Sequence, residues 1–209
     1  MSNNTTEKNP IKIILLGDSG VGKTNIILRY LKNEFNENSL STIGTTFGVK
    51  EMIRNNIKYN LNIWDTTGQE VYRSVTKLFI QGAKIVLLVY CIEQKSTFDS
   101  LNFWYDSVKD ICEDDIVLAI VANKQDLFDD EEKVQVTEEE GENYAKEKNV
   151  LFRSVSAKID KKGIDSLFDT VFDEYLKKIS SNKNVENKEK TNVQLDNTKD
   201  NKHKKKKCC

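Results

Sequence analysis

A glycine-rich segment near the N-terminus has the residue types of a phosphate-binding loop. It consists of Gly17, Asp18, Ser19, Gly20, Val21, Gly22, Lys23 and Thr24, and it fits the pattern G-x-x-x-x-G-K-[ST]. The glycines let successive backbone N–H groups turn toward phosphate oxygens, at the positive end of the following helix. Lys23 would reach the β- and γ-phosphates, and the Thr24 hydroxyl would bind magnesium. Taken alone, the loop predicts a nucleoside phosphate site and does not distinguish GTP from ATP.

A second group of residues, beginning at Asp65, suits the hydrolysis of a phosphate bond. Asp65 follows a predicted strand and can hold the magnesium shell, and the Gly68 N–H can contact a γ-phosphate. Gln69 can orient the attacking water, which is the main task left to the protein in phosphoryl transfer. Each residue alone would suit an ordinary solvated loop. Their spacing to the phosphate-binding loop favours catalysis, with Gln69 as the catalytic residue.

Two short motifs further along the chain favour guanine over adenine. The first contains Asn123, Lys124 and Asp126, and the second is Ser156, Ala157 and Lys158; each follows a predicted strand. The Asp126 carboxylate can accept from the ring N–H and the exocyclic amine of guanine, and adenine has no matching pair of donors. The backbone N–H groups of the second motif can donate to the guanine carbonyl. As isolated strings both motifs are weak, but their order and position favour a guanine nucleotide.

The elements that must position these residues alternate between strands and helices. The pattern predicts strands at residues 11–16, 47–54, 57–64, 84–90, 116–122 and 150–155, and helices at 23–32, 96–111, 137–148 and 164–179. Asn55-Asn56 favours a tight hairpin turn, and Thr137 with Glu140 forms a capping box. This order predicts an α/β fold with a mostly parallel six-stranded sheet, one antiparallel strand and helices on both faces. In such sheets ligands bind beyond the carboxyl ends of the strands, where the motifs lie.

Composition and charge narrow the class of protein further. The longest apolar run, residues 85–92, is far too short for a membrane span, and the polar N-terminus does not resemble a secretory signal. The four cysteines and one histidine do not suit a disulfide framework or a zinc site. From residue 177 onward, 11 lysines against 4 acidic residues give +7, whereas 21 basic against 29 acidic residues give −8 before it. The acidic body argues against nucleic-acid binding, and the basic end indicates an anionic surface.

The motif order GDSGVGKT, TIG, WDTTGQE, NKQD and SAK resembles the small GTPases of the Ras superfamily, over residues 11–179. The resemblance implies a three-layer P-loop GTPase fold with Mg²⁺ and GTP or GDP as cofactors. It implies that Asn25 contacts the nucleotide and that Thr42 joins Thr24 and Asp65 at the magnesium in the GTP state. Phe35 matches the aromatic that packs against the base, although a core residue at a helix end would look the same. Switch I would span residues 36–47 and switch II residues 66–81.

Several stretches are similar to those that mark Rab proteins within this superfamily. They are residues 43–47, 61–64, 69–74 and 82–83, together with the terminal pair Cys208-Cys209. The resemblance implies that both cysteines are geranylgeranylated. One lipid chain gives only marginal membrane residence, so two chains, helped by the basic run 204–207, would suffice for stable anchoring. We therefore expect a flexible N-terminus at 1–10, a GTPase domain at 11–179, and a disordered hypervariable tail at 180–209 that carries the lipids.

The resemblance implies a GTP-hydrolysing molecular switch that regulates vesicle traffic on the cytosolic face of an endomembrane compartment and cycles with the cytosol. Expected partners are an exchange factor, a GTPase-activating protein, a Rab escort protein with geranylgeranyl transferase, a GDP-dissociation inhibitor and effectors; we expect a monomer. No arginine finger is apparent in the chain, so the activating protein would supply one. Two other hypotheses remain at this point. Thr67 stands where the family has alanine, which would suit a GTP-binding module without useful hydrolysis, and an ATP-dependent P-loop enzyme is the other.

Overall fold

The computed structural model describes residues 10–37, 46–66, 76–112, 116–130 and 132–199, with the backbone alone at 46, 76 and 182–199. The strands are β1 Ile11–Leu16, β2 Thr46–Arg54, β3 Ile57–Asp65, β4 Ile85–Cys91, β5 Val117–Asn123 and β6 Leu151–Ser154. The helices are α1 Lys23–Lys32, α2 Thr76–Ile80, α3 Lys95–Asp99, α4 Leu101–Lys109, α5 Glu138–Glu147 and α6 Lys161–Lys199, with a 3₁₀ turn at Gln125–Leu127. The six predicted strands are therefore confirmed, with ends that differ by one residue at most.

The strands form one sheet in the order β2-β3-β1-β4-β5-β6. Strand β2 runs antiparallel to β3, and every other neighbouring pair is parallel. The predicted mixed sheet is confirmed. Because five strands point the same way, the loops that follow β1, β3, β4, β5 and β6 meet at one edge of the sheet.

Alternating side chains of the strands fill two separate cores, one on each face of the sheet. Ile13 and Leu15 of β1 pack with helices α1 and α6, whereas Ile14 and Leu16 pack with α4 and α5. This follows from the two-residue period of a strand, because each β1 face is covered by helices and both sets of residues are buried. The doubly covered sheet is a rigid base for the loops at its edge.

Two predictions of local structure each depend on a pair of residues, and both are confirmed. Asn55 and Asn56 join β2 to β3 with φ values of 52° and 61°, the left-handed conformation that asparagine tolerates in a tight hairpin. At the start of α5, the Thr137 hydroxyl accepts from the Glu140 N–H, and the Glu140 carboxylate accepts from the Thr137 N–H. That reciprocal pair is the predicted capping box.

Two helices differ from their predicted bounds by more than one residue. The helix expected at 96–111 is divided into α3 and α4 at Ser100, whose backbone stays in the right-handed helical region. The end predicted at residue 179 for the last helix is wrong, since α6 continues to Lys199 through a segment expected to be disordered. After Gly163 this segment has neither glycine nor proline, so no residue in it breaks a helix by backbone chemistry. Helix α2 was not predicted.

None of the helices in the described ranges combines the length and apolar character that a membrane crossing requires.

Candidate functional site

A cleft of about 370 Å³ lies at the edge of the sheet where the strand-end loops meet, a size typical of small-ligand sites. Its lining brings together most of the residues predicted from the sequence: Ser19, Gly20, Gly22, Lys23, Thr24, Asn25, Phe35, Asn123, Lys124, Asp126, Ser156, Ala157 and Lys158. These residues are separated by up to 139 positions in the chain. The parallel sheet is what makes them neighbours.

The loop between β1 and α1 has the backbone geometry that its glycines allow. Gly17 has φ of 144° and Gly22 has φ of 95°; a Cβ would collide with the Val89 carbonyl oxygen at the first and with the Asn123 amide at the second. Lys23 Nζ donates to the carbonyl oxygens of Gly17 at 2.7 Å and Asp18 at 2.8 Å. Burial lowers the pKa of Lys23 to about 8, against the opposing effect of Asp65 and Asp18. A bound anion would favour the charged amine.

The side chains of Asp18 and Val21 point away from the cleft, although both residues belong to the same loop. Val21 is fully buried in the core below α1. The Asp18 carboxylate accepts a hydrogen bond from the indole Nε1 of Trp104 on α4 at 2.9 Å. Neither residue lines the cleft, so their side chains position the loop.

The Asn123 side chain connects three of the loops at the cleft. Its Nδ2 donates to the Val21 carbonyl at 2.8 Å, and its Oδ1 accepts from the Ala157 N–H at 3.1 Å. Asn123 is 1% exposed, so both bonds are shielded from water. The amide therefore fixes the loop after β1 relative to the loops after β5 and β6.

The Asp126 carboxylate lines the cleft and is held by the loop after β6. Its Oδ1 accepts from the Ser156 hydroxyl at 2.5 Å. The backbone N–H of Lys158 donates to the same hydroxyl at 3.2 Å, so Ser156 fixes both the carboxylate and the loop. Of the backbone donors predicted to serve a base, Ala157 and Lys158 both have protein acceptors in the structure. They would have to share or exchange these acceptors when a ligand binds.

Three other predicted residues also line the cleft. Phe35 is partly buried against the core and also lines the cleft, so the two roles weighed for it from the sequence are compatible. Lys124 adopts a left-handed backbone with φ of 70° and forms an ion pair with Glu93, another lining residue. The Asn25 side chain forms hydrogen bonds with the backbone of Asn36.

Thr24, which lines the cleft, and the buried Asp65 form a pair that fits a divalent cation. Thr24 Oγ1 donates to Asp65 Oδ2 at 2.7 Å. Among the described residues Asp65 Oδ1 has no hydrogen-bond partner, although it is buried. Burial raises the pKa of Asp65, and the bond from Thr24 and the charge of Lys23 oppose that shift. A hydroxyl beside a buried, unsatisfied carboxylate oxygen is the donor set that Mg²⁺ prefers.

Some of the predicted site residues lie outside the described part of the chain, and some residues that line the cleft were not predicted. Thr42, Gly68, Gln69, Cys208 and Cys209 lie outside the described residues. Glu37, Thr66, Glu93 and Leu127 line the cleft without having been predicted. Glu37, Thr66 and Leu127 are within two residues of a predicted site residue, and that proximity is the signal that could have found them. Glu93 has no predicted site residue near it in the sequence, and only its position after β4 could have indicated it. Thr66 also has a structural role, since its hydroxyl donates to the carbonyl of Leu15 in β1 at 2.6 Å.

Comparison with known proteins gives a consistent family. The Ras family model matches residues 12–177. The GTP-binding protein ypt3 of Schizosaccharomyces pombe is 39% identical over 84% of this chain and 79% of its own length. The Ras-related protein SEC4 of Saccharomyces cerevisiae is 37% identical over the same shares, and the Ras-related protein Rab-17 of Mus musculus is 39% identical over 80% and 76%.

The chain belongs to the Rab proteins of the Ras family. It is therefore a GTPase that uses Mg²⁺ with GTP and GDP and depends on a GTPase-activating protein for fast turnover. As a Rab, it is a GTP-binding regulator of vesicle traffic that recruits effectors. The two alternatives, an ATP-dependent enzyme and a module without hydrolysis, do not agree with this family.

Proposed function

We propose that the cleft is the site at which this Rab binds and hydrolyses GTP, with the base held near Asp126 and the phosphates near Lys23. The convergence of the loops after β1, β3, β5 and β6 on one cleft supports this assignment most directly. The Asn123 amide adds to it, because it sets the distance between the two ends of the cleft. A ligand with a base at one end and phosphates at the other would contact both.

The phosphate end would act through backbone donors and one amine. Ser19, Gly20, Gly22 and Lys23 line this end, where the N-terminus of α1 favours an anion. Lys23 is already held by two carbonyl oxygens, so its ammonium is oriented before a phosphate arrives. The pre-organised amine limits the entropy that binding would cost.

The magnesium would sit beside Thr24 and Asp65, with Thr42 joining them in the GTP state. When bound, Mg²⁺ neutralises charge on the phosphate oxygens during transfer. The Thr24 hydroxyl and the unsatisfied Asp65 oxygen supply the oxygen ligands, directly or through water. A bound cation would oppose the effect of burial, which raises the pKa of Asp65.

The base end would read guanine through Asp126, with Ser156 orienting the carboxylate. Ala157 and Lys158 would offer backbone N–H groups to the guanine carbonyl, and Phe35 would pack against the base. The geometry suits guanine because a carboxylate accepts two N–H donors and repels an acceptor. Gln69 would orient the attacking water and Gly68 would contact the γ-phosphate, roles that rest on their spacing from Lys23.

The tail is proposed to anchor the protein through lipids on Cys208 and Cys209. In this proposal residues 11–179 form the GTPase domain, residues 1–10 a flexible N-terminus, and residues 180–209 the hypervariable tail. A Rab escort protein with geranylgeranyl transferase would load the lipids, and a GDP-dissociation inhibitor would extract them. An exchange factor and effectors complete the cycle, on the cytosolic face of an endomembrane compartment. The two adjacent thiols and the basic run before them support this anchor.

The site assignment is tested by comparing GDP and ADP affinity of the full-length chain with Mg²⁺ present. We expect GDP to bind far more tightly, and Asp126→Asn to weaken GDP binding roughly 10- to 100-fold by removing charge-assisted hydrogen bonds. Asp129→Asn is the matched control, because Asp129 is exposed in the same loop and does not line the cleft. Equal affinity for GDP and ADP, or unchanged GDP affinity in Asp126→Asn, would contradict the assignment.

A further inference from the structure

Residues 35–37 follow α1 after two intervening residues, Asn33 and Glu34, and contribute two of the side chains that line the cleft. We name Phe35, Asn36 and Glu37 the strap. Phe35 and Glu37 line the cleft beside the base end, and Phe35 also packs against the core. The strap is attached to the rest of the protein by side-chain contacts on both of its sides.

The first attachment is a pair of hydrogen bonds from α1. Asn25 Nδ2 donates to the Asn36 carbonyl at 3.0 Å, and the Asn36 N–H donates to Asn25 Oδ1 at 2.9 Å. One side chain thus bonds both backbone groups of Asn36. Asn25 is 7% exposed, which shields the bonds from water. Because Asn25 directly follows Thr24, this contact couples the strap to the phosphate end of the cleft.

The second attachment is an ion pair to the loop after β6. Lys158 Nζ lies 3.2 Å from Glu37 Oε1, and both residues line the cleft. The loop that carries Lys158 is itself held by α1, since Arg29 donates to the carbonyls of Ala157 at 2.8 Å and Lys158 at 2.7 Å. The strap is therefore attached on one side to α1 and on the other to a braced loop.

We infer that Asn25, through Asn36, and Glu37, through Lys158, are positioning residues that hold the strap beside the bound nucleotide and slow its release. The inference rests on the proposed function, because it needs the nucleotide in this cleft. A nucleotide wedged between the strap and the loop after β6 leaves more easily when the strap moves aside. Both attachments must loosen for that movement, so each adds to the barrier for dissociation.

The two attachments should differ in strength and in their response to salt. The Asn25 bonds are shielded and paired, so their loss removes two hydrogen bonds from the backbone of the strap. The Glu37–Lys158 pair is largely exposed, with side chains 74% and 52% accessible, so it is weak and screened by salt. Asn25 should therefore control most of the release rate, and the ion pair should supply its salt dependence.

The test is the release of radiolabelled GDP from the full-length, Mg²⁺-loaded protein into excess unlabelled GDP. We expect Asn25→Ala to release GDP about 10-fold faster, the effect of two hydrogen bonds, with the association rate within about two-fold of the parent. Glu37→Gln should release GDP about two- to four-fold faster, and its rate should not change between about 0.02 M and 0.5 M salt. The parent should release GDP faster at the higher salt.

Charge-reversal variants distinguish the loss of the ion pair from a general loss of structure. Glu37→Lys and Lys158→Glu should each speed release, and the double variant should release GDP more slowly than either single variant, because the pair is restored in the opposite sense. Asn102→Ala is the control for losing an exposed amide contact, since Asn102 accepts from Tyr144 on α5, away from the cleft. Its release rate should equal that of the parent.

Release at the parental rate by Asn25→Ala and Glu37→Gln, in proteins that still bind GDP, would overturn the inference. A double reversal that releases as fast as the single variants would overturn the role of the ion pair, even if Asn25→Ala does not fold. Failure of the parent itself to retain GDP is a separate result. It would overturn the proposed function and not the role of the strap alone.

Discussion

The indole of Trp104 and the carboxylate of Asp18 are joined by a hydrogen bond of 2.9 Å across 86 positions of the chain. Trp104 is 2% exposed in the core beneath α4, whereas Asp18 is the second residue of the phosphate-binding loop. The loop therefore has a side-chain attachment to the face of the sheet opposite α1. Since the Asp18 side chain does not line the cleft, its carboxylate acts by fixing the position of the loop.

Replacing Trp104 tests this attachment. We expect Trp104→Phe to cost roughly 1–3 kcal/mol of unfolding free energy, because a partly buried carboxylate loses its donor and the core loses volume. The Mg²⁺-dependent affinity for GDP should fall as well, since the loop is less well positioned. Urea unfolding and GDP titration of the same preparation measure the two effects.

Asp18→Asn is the informative companion to Trp104→Phe. The amide keeps an oxygen that accepts from the indole, so the loss in both measurements should be smaller than in Trp104→Phe. If Trp104→Phe lowers stability and leaves GDP affinity unchanged, the hydrogen bond contributes to packing and not to the geometry of the loop.

Gln69 is expected to control the hydrolytic step. In a single-turnover assay that follows phosphate release, Gln69→Leu should be at least about ten-fold slower than the parent, because the attacking water loses its orienting amide. GTP affinity should change little, since water and not the nucleotide is the group that Gln69 positions. Equal single-turnover rates would contradict this role. Thr67→Ala in the same assay measures what the extra hydroxyl and methyl beside Gln69 do to the rate.

The capping box of α5 is expected to make the free energy of unfolding depend on pH. Thr137→Ala should cost about 1 kcal/mol, the usual effect of losing an N-cap. The hydrogen bond from Lys95, and then that from the Thr137 N–H, hold the pKa of Glu140 below its usual 4.5. Glu140 is thus more easily ionised in the folded state, and its stabilising effect is present at neutral pH and lost as the pH falls below 4.5.

Glu140→Gln should therefore be less stable than the parent at pH 7 and should lose less stability on acidification. Urea unfolding at a series of pH values between about 7 and 3 checks this. Glu139→Gln, in the same exposed turn, is the control for removing a negative charge near the helix N-terminus. An identical pH profile for the Glu139 and Glu140 variants would show that the Lys95 and Thr137 contacts do not matter.

The terminal cysteines are expected to provide the main membrane attachment. Cys208→Ser combined with Cys209→Ser should leave the protein in the soluble fraction of disrupted cells, because no lipid can be added. Either single variant should associate weakly, since one chain gives only marginal residence. Cys112→Ser, within the GTPase domain, is the control for losing a thiol. Persistent membrane association of the double variant would contradict a lipid tether.

The local chemistry of the chain predicted most of the fold and the place of the site. The strands could be predicted because their apolar runs are short and bounded. The hairpin could be predicted because two asparagines are adjacent in the sequence. The cleft was predictable because Lys23, Asn123 and Ser156 each follow or end a strand, and a parallel sheet brings such positions to one edge. These features depend on the residue itself and its neighbours in sequence.

The features that were missed depend on partners far away in the chain. The side-chain direction of Asp18 is set by Trp104, and the amide of Asn25 by the backbone of Asn36. The pattern of G-x-x-x-x-G-K-[ST] contains neither partner. Likewise, the length of α6 could not be read from its polarity, because a polar segment without glycine or proline is compatible with both helix and coil.

The two hydrogen bonds of Asn123 bear on how the protein becomes functional during its synthesis. They join Val21 to Ala157, and the core below them includes Phe168 and Phe172 of α6. A nascent chain therefore carries the complete phosphate-binding motif long before it carries the partners that fix the motif in place. With the proposed site, we expect nucleotide to be captured only when almost the whole domain has left the ribosome, so that a truncated product would not compete with the finished protein for GTP.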